Sequence, residues 1–186
     1  MDIKRTRELT FMGLYVALYI VLWYAGQFIP LLKMPQGGAI EIELAALFVA
    51  SFHLGWKKGL AVSLLSILVQ VMLGGANWFL NPMQYALDYI VPFSMPGIAA
   101  LFSKGKYRYY IGVVIAMVLK YISQVISGAY FWPPEGGAAG SAEAWTVALT
   151  YNLWFNLATC VVCIILVPLL LDRLKAVHLI DEGQAA

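Results

Sequence analysis

The sequence predicts an all-α integral membrane protein, a bundle of six transmembrane helices with both termini in the cytoplasm. Three observations lead there. Of its 186 residues 62% are hydrophobic and 12% charged, about half the charged share of a soluble domain. The apolar residues fall into six runs, most of them near the roughly 20 residues that cross a hydrocarbon core. Lys and Arg concentrate in alternate connections between those runs, as the positive-inside rule requires.

The first run, about 9–30, follows Lys4, Arg5 and Arg7 and is too long for a signal-peptide core, with no small-residue cleavage site, so it reads as a retained helix. Gly13 and Ala17 lie four apart in it, a small-xxx-small face that lets another helix approach closely, in this bundle or in a partner. The second run, 39–54, is short and opens on Glu41 and Glu43, which suggests a bent or partly unwound entry lining a cavity. On a regular helix two positions separated by one residue stand about 200° apart, so Glu41 alone is expected to face that cavity. Runs at 57–75, 82–102, 109–131 and 146–171 follow, and the last holds Cys160 and Cys163 among valines, where small packing residues are expected rather than a redox pair. Together the runs fill a single membrane domain, 1–186, with a short polar tail at 181–186 and no repeats.

Orientation follows from counting. Lys4, Arg5, Arg7, Lys57, Lys58, Lys104, Lys106, Arg108, Arg173 and Lys175 share one side, which is then cytoplasmic; Lys33 stands alone opposite, and Lys120 lies inside the fifth run. A net charge of +2, spread along the chain, gives no reason to expect nucleic acid. There is no P-loop, no HExxH and no Ser–His–Asp set, and His53 and His178 fall in cytoplasmic regions. Neither a catalytic centre nor a metal site is expected. The outer loops at 34–38 and 133–137 mix Pro and Gly beside aromatic residues and suit lids, while Trp78, Trp132 and Trp145 also suit an interfacial aromatic belt.

Ionisable groups inside the spans are functional candidates, because each costs several kcal/mol unless paired or hydrated. They are Glu41, Glu43, Asp88 and Lys120, three acids against one base. Lys120, Gln124 and Gly128 share a helical face that continues toward Trp132; Tyr85, Asp88 and Tyr89 share another; Trp145, Ala148, Asn152 and Asn156 a third. One reading is a pocket for a flat cationic heterocycle, held by charge and ring stacking. The other is an Asp88–Lys120 pair that fixes packing, with the glutamates among wet headgroups.

At these residues the chain resembles the thiamine-specific substrate-binding (S) components of energy-coupling factor transporters, the ThiT type. The most specific stretches are MPQGG at 34–38, LDYIVPFSMPGIAALF at 87–102, LKYISQVISGAYFW at 119–132 and LTYN at 149–152. The resemblance implies a six-helix fold in the plasma membrane of a prokaryote, with an outward-facing vitamin pocket under the loop between the first two helices. It implies that Glu41 meets the aminopyrimidine, that Asp88 faces the thiazolium beside Tyr89, and that Trp78, Lys120, Gly128, Trp132 and Asn152 are pocket residues. It also implies docking of Gly13 and Ala17 on a transmembrane coupling subunit, with two ATPase subunits using the ATP and no cofactor in this chain. Gln124 stands for a family histidine, Val147 and Ala148 for a Tyr-Ser pair, Gly37 for a lid tryptophan and Asp88 for a glutamate. A pyrimidine precursor or thiamine analogue is the nearest alternative ligand, and a membrane enzyme or structural subunit the alternative class.

Overall fold

The computed structural model describes residues 3–34, 37–177 and 179, so Pro35 and Gln36 of the expected lid loop at 34–38, His178 and the polar tail lie outside the described residues. Helix α1 spans Ile3–Gly26 and buries only Tyr15 and Tyr19. Gly13 and Ala17 are exposed, and a Cβ added at Gly13 would meet nothing within 4 Å. The small face therefore points away from its own bundle.

A 3-10 turn at Pro30–Leu32 and a short bridge between Lys33 and Ala39 bring the chain back. Helix α2 is Leu44–Leu54, and every residue from Leu44 to His53 is buried. It is the hub of the bundle, packed against α1, α3 (Trp56–Met72), α5 (Val91–Gly97) and α7 (Ala142–Ala176). The span expected from 39 thus starts as a helix only at Leu44, because the preceding backbone is satisfied elsewhere: the Glu41 amide donates to Thr159 Oγ1 of α7 at 3.0 Å. Gly55, at φ +83°, supplies the left-handed residue that reverses the chain between α2 and α3. Four residues on, a Cβ at Gly59 would run into the Gly97 carbonyl of α5 and lie 2.7 Å from Ser51 Cα of α2. Three backbones meet there, and Gly59→Leu is expected to cost about 2 kcal/mol or more by overpacking. The apparent Tm in detergent reads it, and an unchanged Tm would mean that the helices separate freely.

The fourth rod is broken. Asn81 caps α4 (Pro82–Tyr85) by accepting from the Met83 and Gln84 amides at 3.0 Å each, and Pro82 fills the first turn where no N–H is needed. A π turn at Ala86–Ile90 precedes α5, and a 3-10 turn at Ala99–Phe102 ends the rod. Helix α6 is Arg108–Phe131. Helix α7 opens on a Ser141 cap with Glu143 in its first turn and closes on Arg173 and Lys175, charges that suit the helix dipole at each end. Counting the broken rod as one, the described residues form a six-helix bundle with no strand. Of these, α1, α6 and α7 are each long and apolar enough to cross a membrane unaided. The free thiols of Cys160 and Cys163 sit within the apolar core, Cys163 fully buried.

Candidate functional site

A cavity of about 1020 Å³ opens at the end of the bundle where the basic residues are sparse, at the upper limit of ordinary ligand pockets. Its walls come from the C-terminal end of α1, residues 32–34, 37–41 and 43, the end of α3, the π turn, the end of α6 and the N-terminal half of α7. Glu41, Trp78, Asp88, Tyr89, Gln124, Gly128, Trp132 and Asn152 all line it.

Lys120 stands behind that wall with no exposed surface. Its ammonium lies 2.7 Å from Glu41 Oε2 and donates to Gln124 Oε1 at 2.9 Å and Asn156 Oδ1 at 3.0 Å, with the Phe93 and Phe155 rings 5.9 and 5.6 Å away. The Glu41 contact lacks aligned hydrogen-bond geometry, so it is chiefly Coulombic. Asn156 Nδ2 donates in turn to Gln124 Oε1 at 2.8 Å, which ties α6 to α7. A Lys120–Asp88 pair is therefore not what forms. Lys120 neutralises Glu41, and Asp88 finds other partners.

Asp88 sits in the π turn. That turn gives the helix one extra residue per loop of hydrogen bonding, as such turns commonly do at functional sites. Asp88 Oδ2 accepts from Gln84 Nε2 at 2.6 Å and from Trp132 Nε1 at 2.9 Å. Ser123 of α6 donates to the Leu87 carbonyl at 2.8 Å and holds the turn in place. Trp78 and Trp132 meet edge to face at 5.7 Å, and Tyr85 backs Tyr89 at 4.9 Å between centroids. Trp145 takes no part. It packs on Tyr130 and on the small core of Val125, Ala129 and Ala148.

Both Pro- and Gly-bearing loops reach the cavity, one through Met34, Gly37 and Gly38 and the other through Pro133, Pro134 and Glu135. The Gly38 amide donates to Tyr151 Oη of α7 at 3.0 Å, and a Cβ there would lie 2.9 Å from the Phe155 ring, so only glycine lets the loop settle this deep. Gly128 serves the same end between α6 and α7, since its Cβ would come within 2.9 Å of Ala148 Cβ.

The expectation that Glu41 alone faces the cavity is corrected: Glu43 lines it as well. The 200° argument assumed a helix through both positions, whereas helix α2 starts one residue after Glu43. Glu43 is nine-tenths buried, and among the described residues its carboxylate has no ion pair and accepts no hydrogen bond from another side chain. Two more polar residues had escaped the sequence reading. Gln70 lines the cavity and accepts the Tyr19 hydroxyl at 2.6 Å, and Gln84 stands behind Asp88. Gln84 had a signal, four positions before the acid on the same face. Gln70 had none.

Comparison with known proteins bears on the same region. The family model described as thiamine transporter protein matches residues 9–179. This chain belongs to that thiamine transporter family. It is 37% identical over 156 residues to the thiamine transporter ThiT of Bacillus subtilis (strain 168), covering 75% of this chain and 78% of that protein. Its fold is similar to a solved structure of ThiT from Listeria monocytogenes, with a TM-score of 0.65 at 18% identity over 94% of this chain and 96% of that one. The family's members are named as transporters, not enzymes.

Proposed function

We propose that this chain is the thiamine-binding S component of an energy-coupling factor transporter, taking the vitamin from outside a prokaryotic cell and delivering it inward against an ATP-driven partner. The observation that carries the reading is Asp88: an acid held by two neutral donors, with no ion-pair partner among the described residues, between the aromatic walls of Trp78, Trp132 and Tyr89. A thiazolium ring supplies both the missing positive charge and a face to stack. Glu41, whose Oε2 meets Lys120, and Glu43 beside it are the carboxylates that line the cavity to accept a donor from the ligand's aminopyrimidine. The orientation is part of the proposal. Every cavity wall lies at the end of the bundle away from the ten clustered basic residues, so the positive-inside rule puts its mouth outside and both termini in the cytoplasm.

The test is a titration of the detergent-purified protein with thiamine, read by tryptophan fluorescence. Saturable quenching below about 1 μM, roughly −8 kcal/mol, is the expected result. Asp88→Asn keeps the size and removes the charge, and is expected to weaken thiamine at least about tenfold, the scale of one charged hydrogen bond. Equal affinity in this variant would take the thiazolium away from Asp88. A second reading, the same transport with a related heterocycle, draws on Gln124, whose oxygen is already occupied by Lys120 and Asn156. Competition between thiamine and its pyrimidine precursor separates the two.

A further inference from the structure

Gln84 has no exposed surface and uses its amide fully. Its Oε1 accepts the Leu80 amide at 2.9 Å, and its two Nε2 hydrogens go to the Trp78 carbonyl at 3.3 Å and to Asp88 Oδ2 at 2.6 Å. The same Asp88 oxygen receives the Trp132 indole N–H at 2.9 Å, and the Trp132 ring meets the Trp78 ring at 5.7 Å. The contacts close a circuit from the Trp78 backbone through Gln84, Asp88 and Trp132 back to Trp78. It joins the α3–α4 loop, the π turn and the end of α6.

We infer that Gln84 is a positioning residue for ligand recognition: it fixes the Asp88 carboxylate, and with it the spacing of the two tryptophans, so that the acid's second oxygen is presented to a cationic ring. The inference rests on the thiamine reading and deepens it. Asp88 Oδ2 is saturated by two donors, while Oδ1 accepts from no residue among those described. The acid is only half-buried, so without those donors it would sample several rotamers, and ordering it would then count against binding. Gln84 is itself fixed, because Asn81 Oδ1 caps its amide at 3.0 Å and Pro82 opens its short helix. No side chain of Gln84 lines the cavity, so its effect on a ligand has to pass through Asp88 and Trp78.

A double-mutant cycle separates this role from plain scaffolding. Gln84→Met keeps the length of the side chain and removes both donors. Thiamine affinity is expected to fall at least about tenfold in this variant, but less than about threefold when Gln84→Met is added to Asp88→Asn, because coupled residues do not add. The neutral aminopyrimidine half of the ligand, which has no thiazolium for Asp88 to meet, is expected to bind Gln84→Met within about threefold of wild type, inside ordinary additivity error. Losses that multiply across the cycle, or equal losses for thiamine and the neutral half, would overturn the assignment, as would unchanged thiamine affinity.

Should Gln84→Met not fold, Gln84→Glu keeps the shape and sets two carboxylates against each other. Its apparent Tm should drop, and adding Asp88→Asn should restore it by returning a donor to the pair; no restoration would mean that the two side chains are not coupled. Wild-type protein silent toward thiamine would instead overturn the functional reading itself, before any variant is compared.

Discussion

Replacing Lys120 by Met is expected to destabilise the bundle by about 3–5 kcal/mol, the cost of leaving one charge of a buried pair alone. The ammonium has no exposed surface, and the Glu41 side chain is only 10% exposed. Removing Lys120 leaves that carboxylate without its cation, takes the ammonium away from the Phe93 and Phe155 rings, and removes a donor from Gln124 and Asn156. A second substitution decides the cause. Glu41→Gln in the Lys120→Met background removes the stranded charge, and most of the lost stability should return, since apolar or neutral replacements of whole buried pairs are close to neutral. The comparison is made on apparent Tm in detergent for the four combinations. If Lys120→Met melts with wild type, the pair holds nothing and water reaches Glu41 freely.

Gly13→Trp is expected to abolish thiamine uptake by cells that carry the whole transporter while leaving vitamin binding by the purified protein unchanged. Gly13 is exposed, and apart from the backbone of its own helix turn nothing described lies within 4 Å of where its Cβ would be, so a large side chain fits without disturbing the packing of α1 or the cavity at the far end of the bundle. In a membrane, small residues let a second helix approach until the backbones touch, and an indole at that point holds it off by several ångströms. Uptake is followed with labelled vitamin, binding by fluorescence titration. Transport that survives the substitution would move the coupling subunit to another face of the bundle, whereas lost binding would mean that α1 packs differently from its place here.

The long helices were legible because nothing in them competes with hydropathy: α1, α6 and α7 are continuous apolar segments whose ends carry the expected charges. The second and fourth runs were legible as apolar segments but not as shapes. At 39–43 the chain leaves the helix because Thr159, 118 residues away, accepts its amide, and no local pattern announces a partner that distant. Hence the error over Glu43, which followed from a correct angle applied to a helix that had not begun. In 82–102 the stripe of Tyr85, Asp88 and Tyr89 was read at ordinary helical spacing, and their grouping survives because a π turn shifts the register by a single residue. Lys120 was visible as costly, but its choice between two acids was decided by the fold. Glu41 approaches to 2.7 Å, while Asp88 already holds two donors.

The π turn makes the number of residues in this segment, and not only their identity, part of the pocket. Elsewhere on a lipid-facing helix, loss of a residue shifts a slippery apolar surface by about 100° of rotation, and one leucine can stand in for another. Between Ala86 and Ile90 the surplus residue is what separates the capped start at Asn81 from the proline-bearing stretch after Val91. Deleting it would turn every downstream side chain of that rod about a quarter of the way round while Asn81 and Gln84 stayed where they are. Chain length across this segment therefore shapes the pocket as much as residue identity does, and a one-residue deletion there would re-aim the pocket side chains without changing any of them.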